Sequence, residues 1–180
     1  FQGTDSYYGK SKPLGQKNSR GKEEYKHWTE KKGITDQDWL EHLEGKGYTG
    51  IIPIRDDSTC SWGVIDVGLH LILHLAHKVP AKDMRKKLIM IASDLGVNDK
   101  TTDIFPAQDK VDLTDPDWDK KQLGQFVNLP YQNAKFPTRC AMDDEGNSLK
   151  YLDYLEYAKK FIITKEHFYD LKTSNDDENK

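Results

Sequence analysis

The apolar positions of this chain fall into short blocks separated by turn residues. Thr35 is placed to cap a helix through Asp36, Trp39, Leu40 and Leu43, which Gly45 and Gly47 would stop. Residues 50–54 form a compact β-like run, and Asp56-Asp57-Ser58 reads as a turn. Residues 61–67 and 69–75 follow as two strands. Pro80 then opens a helix whose apolar positions Met84, Leu88, Ile91, Ala92 and Leu95 keep a helical period, and Gly96 ends it. Residues 101–105, closed by Pro106, and 125–129, closed by Pro130, are two further strands. Ser148 is placed to cap a last long helix with Leu149, Leu152, Leu155 and Ala158 on one stripe. Strands, then a helix, then strands predict an α+β fold: a sheet with helices on one face and the other face open.

Composition narrows the class. A chain of 180 residues can bury a real core as one domain. Charged residues make up 32% and hydrophobic ones 36%, as in a globular protein with polar extensions. No apolar run approaches the length of a membrane span, and no secretory signal is visible, so no membrane partner is expected. Phe1-Gln2-Gly3 reads as the remnant of a cleaved tag, and residues 4–22, rich in Gly, Ser, Lys and Tyr without a period, read as a flexible basic arm. Residues 172–180 read as a frayed acidic tail. Cys60 and Cys140 form no CxxC pair, which removes a cysteine-rich zinc site and leaves two reduced thiols. The net charge of −3 runs against a sequence-independent nucleic-acid binder, but charge is uneven. Lys10, Lys12, Lys17, Arg20 and Lys22 cluster near the start; Asp109, Asp112, Asp115, Asp117 and Asp119 cluster in the middle.

Alternation along the strands sorts the polar residues. Leu69, Leu71, Leu73 and Leu75 point one way and can bury against helices; His70, Ile72 and His74 point the other way, toward a wet face. Trp62, Val64 and Asp66 share a face. An aspartate at the end of an apolar strand is either a turn cap or a ligand for a hard divalent cation, and the residues alone leave both readings open. Asp103 lies beside a Pro-terminated strand and is equally ambiguous.

Taken in order, these pieces resemble the archaeo-eukaryotic primases, in the branch of phage primase–polymerases and TOTE conflict-system primases. Gly50-Ile51-Ile52-Pro53-Ile54, then residues 57–66 ending in Gly63-Val64-Ile65-Asp66, resemble the entry to motif I. Gly68-Leu69-His70-Leu71 resembles the end of motif II, and residues 80–88 the helix after it. Asp103-Ile104-Phe105-Pro106-Ala107-Gln108 resembles motif III, and Asn128-Leu129-Pro130-Tyr131, with Arg139 beyond, a later strand. The resemblance covers roughly residues 48 to 142. One departure is plain. The family carries Asp-x-Asp/Glu in motif I, whereas Val67 and Gly68 follow Asp66 here, and motif II arrives at once. The resemblance therefore implies a segment lost between Val67 and Gly68 that carried the second acid.

The family's fold is an RRM-like antiparallel or mixed sheet with an open catalytic face, placed here over residues 23–171. The activity implied is primer synthesis or extension on a single-stranded DNA template by two-metal nucleotidyl transfer. Asp66 and Asp103 would hold Mg²⁺ or Mn²⁺, with Asp109 as a substitute for Asp103. His70 would contact phosphate of the incoming nucleoside triphosphate. Asn128 and Arg139 would touch phosphate or sugar, although an arginine there serves as well as a surface charge. A helicase domain or subunit is an implied partner, and bacterial or phage-infected host cytoplasm the implied setting. The alternative is a catalytically inactive relative that binds single-stranded nucleic acid; a nuclease built on the same Asp and His residues is a further rival.

Overall fold

Residues 3–97, 100–112, 114 and 124–173 are described here by a computed structural model. The acidic tail from residue 174 onward and the acidic positions Asp115, Asp117 and Asp119 lie outside the described residues. The fold is α+β with antiparallel sheets. The chain divides into two compact units, across the single domain expected over residues 23–171. The first comprises Phe1–Thr4, Ile52–Gln125 and Phe161–Lys180; the second comprises Asp5–Ile51 and Phe126–Lys160. Among the described residues no helix is long and apolar enough to cross a membrane.

The second unit contains β1 (Tyr8–Lys17), β2 (Glu23–Glu30), α1 (Asp36–Leu43), β3 (Tyr48–Ile51), β7 (Val127–Asn128) and α3 (Tyr151–Lys159). Its four-stranded sheet runs β2-β1-β3-β7, antiparallel throughout. Residues 4–22, expected as a flexible arm, instead supply β1, an inner strand of that sheet. Tyr8 and Ser11 are buried there, as is Tyr7 just before the strand, while the outer half of the hairpin is largely polar and exposed. Backbone pairing on both sides and three buried side chains hold a strand that has no apolar alternation. α1 begins as its sequence predicts, with Thr35 and Asp38 forming a reciprocal capping box. Tyr8 and Lys10, which share one face of β1, both reach Asp38, so α1 lies against that face.

The last helix departs from expectation. It begins at Tyr151, its N-cap Lys150 makes no side-chain cap, and Leu152 is 70% exposed. Tyr151 and Tyr154 pack on the buried Tyr131 ring instead, each with centroids 5.5 Å apart. These aromatic faces offer more area to bury than the leucine stripe does.

The first unit contains β4 (Thr59–Asp66), β5 (His70–Pro80), α2 (Ala81–Asp94), β6 (Asp103–Phe105) and α4 (Lys165–Asp170), with the sheet ordered β5-β4-β6. Val67, Gly68 and Leu69 connect β4 to β5, and Gly68 takes a positive φ of 84° that a side chain would strain. α2 ends in a Schellman motif: the Gly96 amide donates to the Ser93 carbonyl and the Val97 amide to that of Ala92. Its buried Ala81, Met84, Leu88 and Ala92 include the residues that seat it on the sheet. At Gly63 a Cβ would come within 2.6 Å of Leu88 Cδ1 and 2.8 Å of the Phe105 carbonyl oxygen. Gly63→Ala is therefore expected to destabilise the protein by about 1–3 kcal/mol through overpacking, measured by urea denaturation.

The faces of β5 also differ from expectation. Leu75 is buried and Leu73 half-buried, but Leu69 and Leu71 are exposed at the turn end of the hairpin, beyond the Gly63–Leu73 pair where α2 sits. The opposite face, expected to be wet, is fully buried at Trp62 and Val64. On the same face Asp66, His70, Ile72 and His74 are half-buried.

Candidate functional site

Strand register builds the site. Asp66 pairs with His70 across β4 and β5, and with Asp103 across β4 and β6. Directly paired residues of antiparallel strands share a face, with Cβ atoms roughly 5 Å apart. Asp103, Asp66 and His70 thus form one lateral row at the end of the three-stranded sheet. The Gly68 amide donates to Asp66 Oδ1 at 2.9 Å, which fixes the carboxylate on the turn. His70, in the tautomer protonated at Nε2, donates to Asp66 Oδ2 at 3.1 Å. The Asp66 and His70 side chains are 32% and 23% exposed, and Asp103 is exposed, so the row faces water with its backbone held in the sheet.

Among the described residues no three His, Cys, Asp or Glu side chains converge as ligands of one ion. The donor set nevertheless fits a cation of the magnesium type. Such ions are held by one or two carboxylates, with water and substrate phosphates completing the shell. Asp66 and Asp103 supply two carboxylates from facing positions, and each Asp66 oxygen accepts one hydrogen bond, which leaves a lone pair free. Like charges placed directly opposite are destabilising without a cation between them. Asp103→Asn is therefore expected to stabilise the metal-free protein by about 0.5 kcal/mol. The same change should remove any rise in melting temperature that Mn²⁺ produces in the wild type. Paired thermal melts with and without Mn²⁺ measure both effects.

The remaining sequence candidates make contacts of their own. Asp109 faces Arg85 of α2, with Oδ1 3.7 Å from the guanidinium. Asn128 and Arg139 belong to the second unit, where Asn128 Oδ1 accepts from Ser11 Oγ at 3.2 Å and the Arg139 carbonyl accepts from the Tyr131 amide at 2.8 Å.

Two features were not foreseen. A cavity of about 380 Å³ in the first unit is lined by Trp62, His74, His77, Lys78 and Ile162, among others. His74 stacks on Trp62 there, with centroids 6.4 Å apart, and burial pushes its imidazole down to about 4, so the ring is neutral at pH 7. The strand pattern had placed His74 on a wet face; the neighbouring Trp62 was the signal that the face closes over. The second is an aromatic cluster of Tyr25, His27, Tyr48 and Phe126 in the second unit, assembled from three separate stretches of chain.

Comparison with protein-family models and with curated proteins finds no match for the chain.

Proposed function

We propose that the first unit carries metal-dependent chemistry at the phosphates of a nucleotide. Within that class, the reading best supported is a DNA-directed primase–polymerase of the archaeo-eukaryotic type, which makes or extends primers on a single-stranded template. One observation carries it: Asp103, Asp66 and His70 lie side by side across three strands. These are the positions at which the sequence resembles motifs III, I and II of that family. Asp66 and Asp103 would hold Mg²⁺ or Mn²⁺, and the ion, when bound, would lower the pKa of the attacking 3′-hydroxyl and offset charge on the α-phosphate. The protein's own part is positional. The Gly68 amide orients Asp66, and the sheet holds Asp66 and Asp103 at directly paired backbone positions. His70 has an N–H that can pass from Asp66 Oδ2 to a phosphate oxygen of the incoming nucleotide.

The test is primer synthesis and extension on a single-stranded template with nucleoside triphosphates and Mn²⁺ or Mg²⁺. Degradation of the template without incorporation would instead mark a nuclease. The second reading is an inactive relative that binds single strands. It is favoured by Val67 and Gly68, which follow Asp66 where the family has its second acid.

A further inference from the structure

The sheet of the second unit has two unlike faces. Tyr8 and Lys10 point toward α1 through Asp38. The other face, by register, carries Gly9, Ser11, Tyr25, His27, Tyr48, Gly50 and Asn128. Phe126 joins it by lying flat on two glycines. A Cβ at Gly9 would fall 2.0 Å from Phe126 Cγ, and one at Gly50 would fall 2.2 Å from Cδ2. A ring resting one side on bare backbone presents its other side outward. Around it, His27 is 6.0 Å from Phe126 between centroids, Tyr25 stacks on His27 at 6.2 Å, and Tyr48 meets Tyr25 edge-on at 5.4 Å. His27 is exposed, and Tyr25, Tyr48 and Phe126 are half-buried, so the rings are reachable.

Polar groups with base-edge chemistry stand among these rings. Ser11 Oγ lies 2.8 Å from His27 Nδ1 and donates to the Asn128 amide oxygen, which holds both side chains in place. The free Asn128 NH₂ and His27 Nε2 remain as contacts for a ligand. Arg139 is exposed and belongs to the same unit, and its charge is the smallest of the influences on the Tyr25 phenol, after the Tyr48 hydroxyl and burial. Lys17, Arg20 and Lys22 are exposed at the far end of the same hairpin, where they outnumber Glu23 and Glu24. Flat rings, amide and imidazole groups and nearby cations match a strand whose bases are unpaired and whose backbone is anionic.

We propose that this face binds single-stranded nucleic acid, with bases stacked on Phe126, His27 and Tyr25 and phosphates met by Arg139 and the hairpin-tip cations. The site shares no residue with the carboxylate row, and the inference goes beyond the catalytic reading, because it holds for an active or an inactive domain.

The experiment uses the full chain and a labelled oligothymidylate, with binding read by fluorescence anisotropy at several salt concentrations. Circular dichroism confirms that each variant is folded. Tyr25→Leu with His27→Leu is expected to weaken binding by about tenfold or more. Arg139→Gln is expected to weaken it by a few-fold and to lower the salt slope by about one. An oligonucleotide carrying 5-iododeoxyuridine should crosslink under light to peptides holding Tyr25, His27, Tyr48 or Phe126. Four results overturn the proposal: no binding by the wild type at about 100 μM, unchanged binding by the ring variants, crosslinks confined to other peptides, or equal affinity for duplex DNA. Primer extension is scored separately. Intact oligonucleotide binding without extension removes the catalytic reading and leaves this face standing. Extension with ring variants that bind as wild type does the reverse.

Discussion

Asp66→Ala is expected to cut primer extension by about 10³-fold, equivalent to roughly 4 kcal/mol of barrier. Asp66 sits in the middle of the row, with His70 on one side and Asp103 on the other. Its loss removes one of two carboxylates and the acceptor that positions the His70 imidazole. The two effects are separable. Asp66→Asn keeps an oxygen for the Gly68 amide and nearly the same shape, but it forfeits the negative charge that attracts a divalent cation. The asparagine variant should therefore be as inactive as the alanine variant while melting within a few degrees of wild type. His70→Asn would spare the carboxylates and act on nucleotide affinity, seen as a raised KM more than a lowered kcat. The readout is incorporation of labelled nucleotide on a primed single-stranded template, titrated with Mn²⁺. Extension that survives Asp66→Ala at near wild-type rate would falsify the assignment.

Strand alternation showed which residues of each strand share a face, but the row itself was grouped only through the family resemblance, and Val67-Gly68, read as the place of a lost segment, is the turn that pairs the two strands. Asp66, Val64 and Trp62 alternate in one strand, His70, Ile72 and His74 in the next, and the turn between them sets the pairing. α1 and α2 were legible from Thr35, Gly96 and the apolar period between. The hairpin of β1 and β2 was not. Its side chains are mostly polar and few are buried, and its order comes from backbone pairing, which leaves no trace in composition. α3 misled only in its leucines, whose helical spacing marks an apolar stripe although Leu152 and Leu155 stay exposed; its tyrosines, which read as packing residues, do pack on Tyr131 through Tyr151 and Tyr154. Asn128 and Arg139 were matched to a motif by order along the chain, and they fall in the second unit. The aromatic cluster was invisible because Tyr25, Tyr48 and Phe126 meet only through strand register, and because the two glycines that seat Phe126 carry no signal of their own.

Asp38→Ala is expected to destabilise the second unit by about 3–5 kcal/mol, a large share of a typical folding free energy. Asp38 is 5% exposed and accepts from Tyr8 Oη at 2.5 Å, from the Thr35 amide at 3.0 Å and from Thr35 Oγ1 at 2.6 Å, with Lys10 Nζ 3.0 Å away. Truncation would leave the Tyr8 hydroxyl and the half-buried Lys10 ammonium without this carboxylate and would undo the capping box. Burial alone would push the Asp38 carboxyl up; the hydrogen bonds from Thr35, Tyr8 and Lys10 outweigh it and hold the group well below the usual carboxylate range. Because the folded value is depressed, the contribution is fully present above the unfolded value of about 4 and is lost only as the pH falls through the folded one. The stability gap between wild type and Asp38→Asn should thus be flat from pH 7 to 5 and shrink steadily below pH 4. A gap of undiminished size at pH 2 would show that shape, not charge, is what Asp38 supplies. Thr35→Ala should cost about 1 kcal/mol and be non-additive with Asp38→Ala, since both act through the same cap. The consequence reaches the binding face. Asp38 ties α1 to the Tyr8 and Lys10 side of the sheet, so weakening it should also lower oligonucleotide affinity on the far side, where β1 and β3 bring Gly9 and Gly50 under the Phe126 ring.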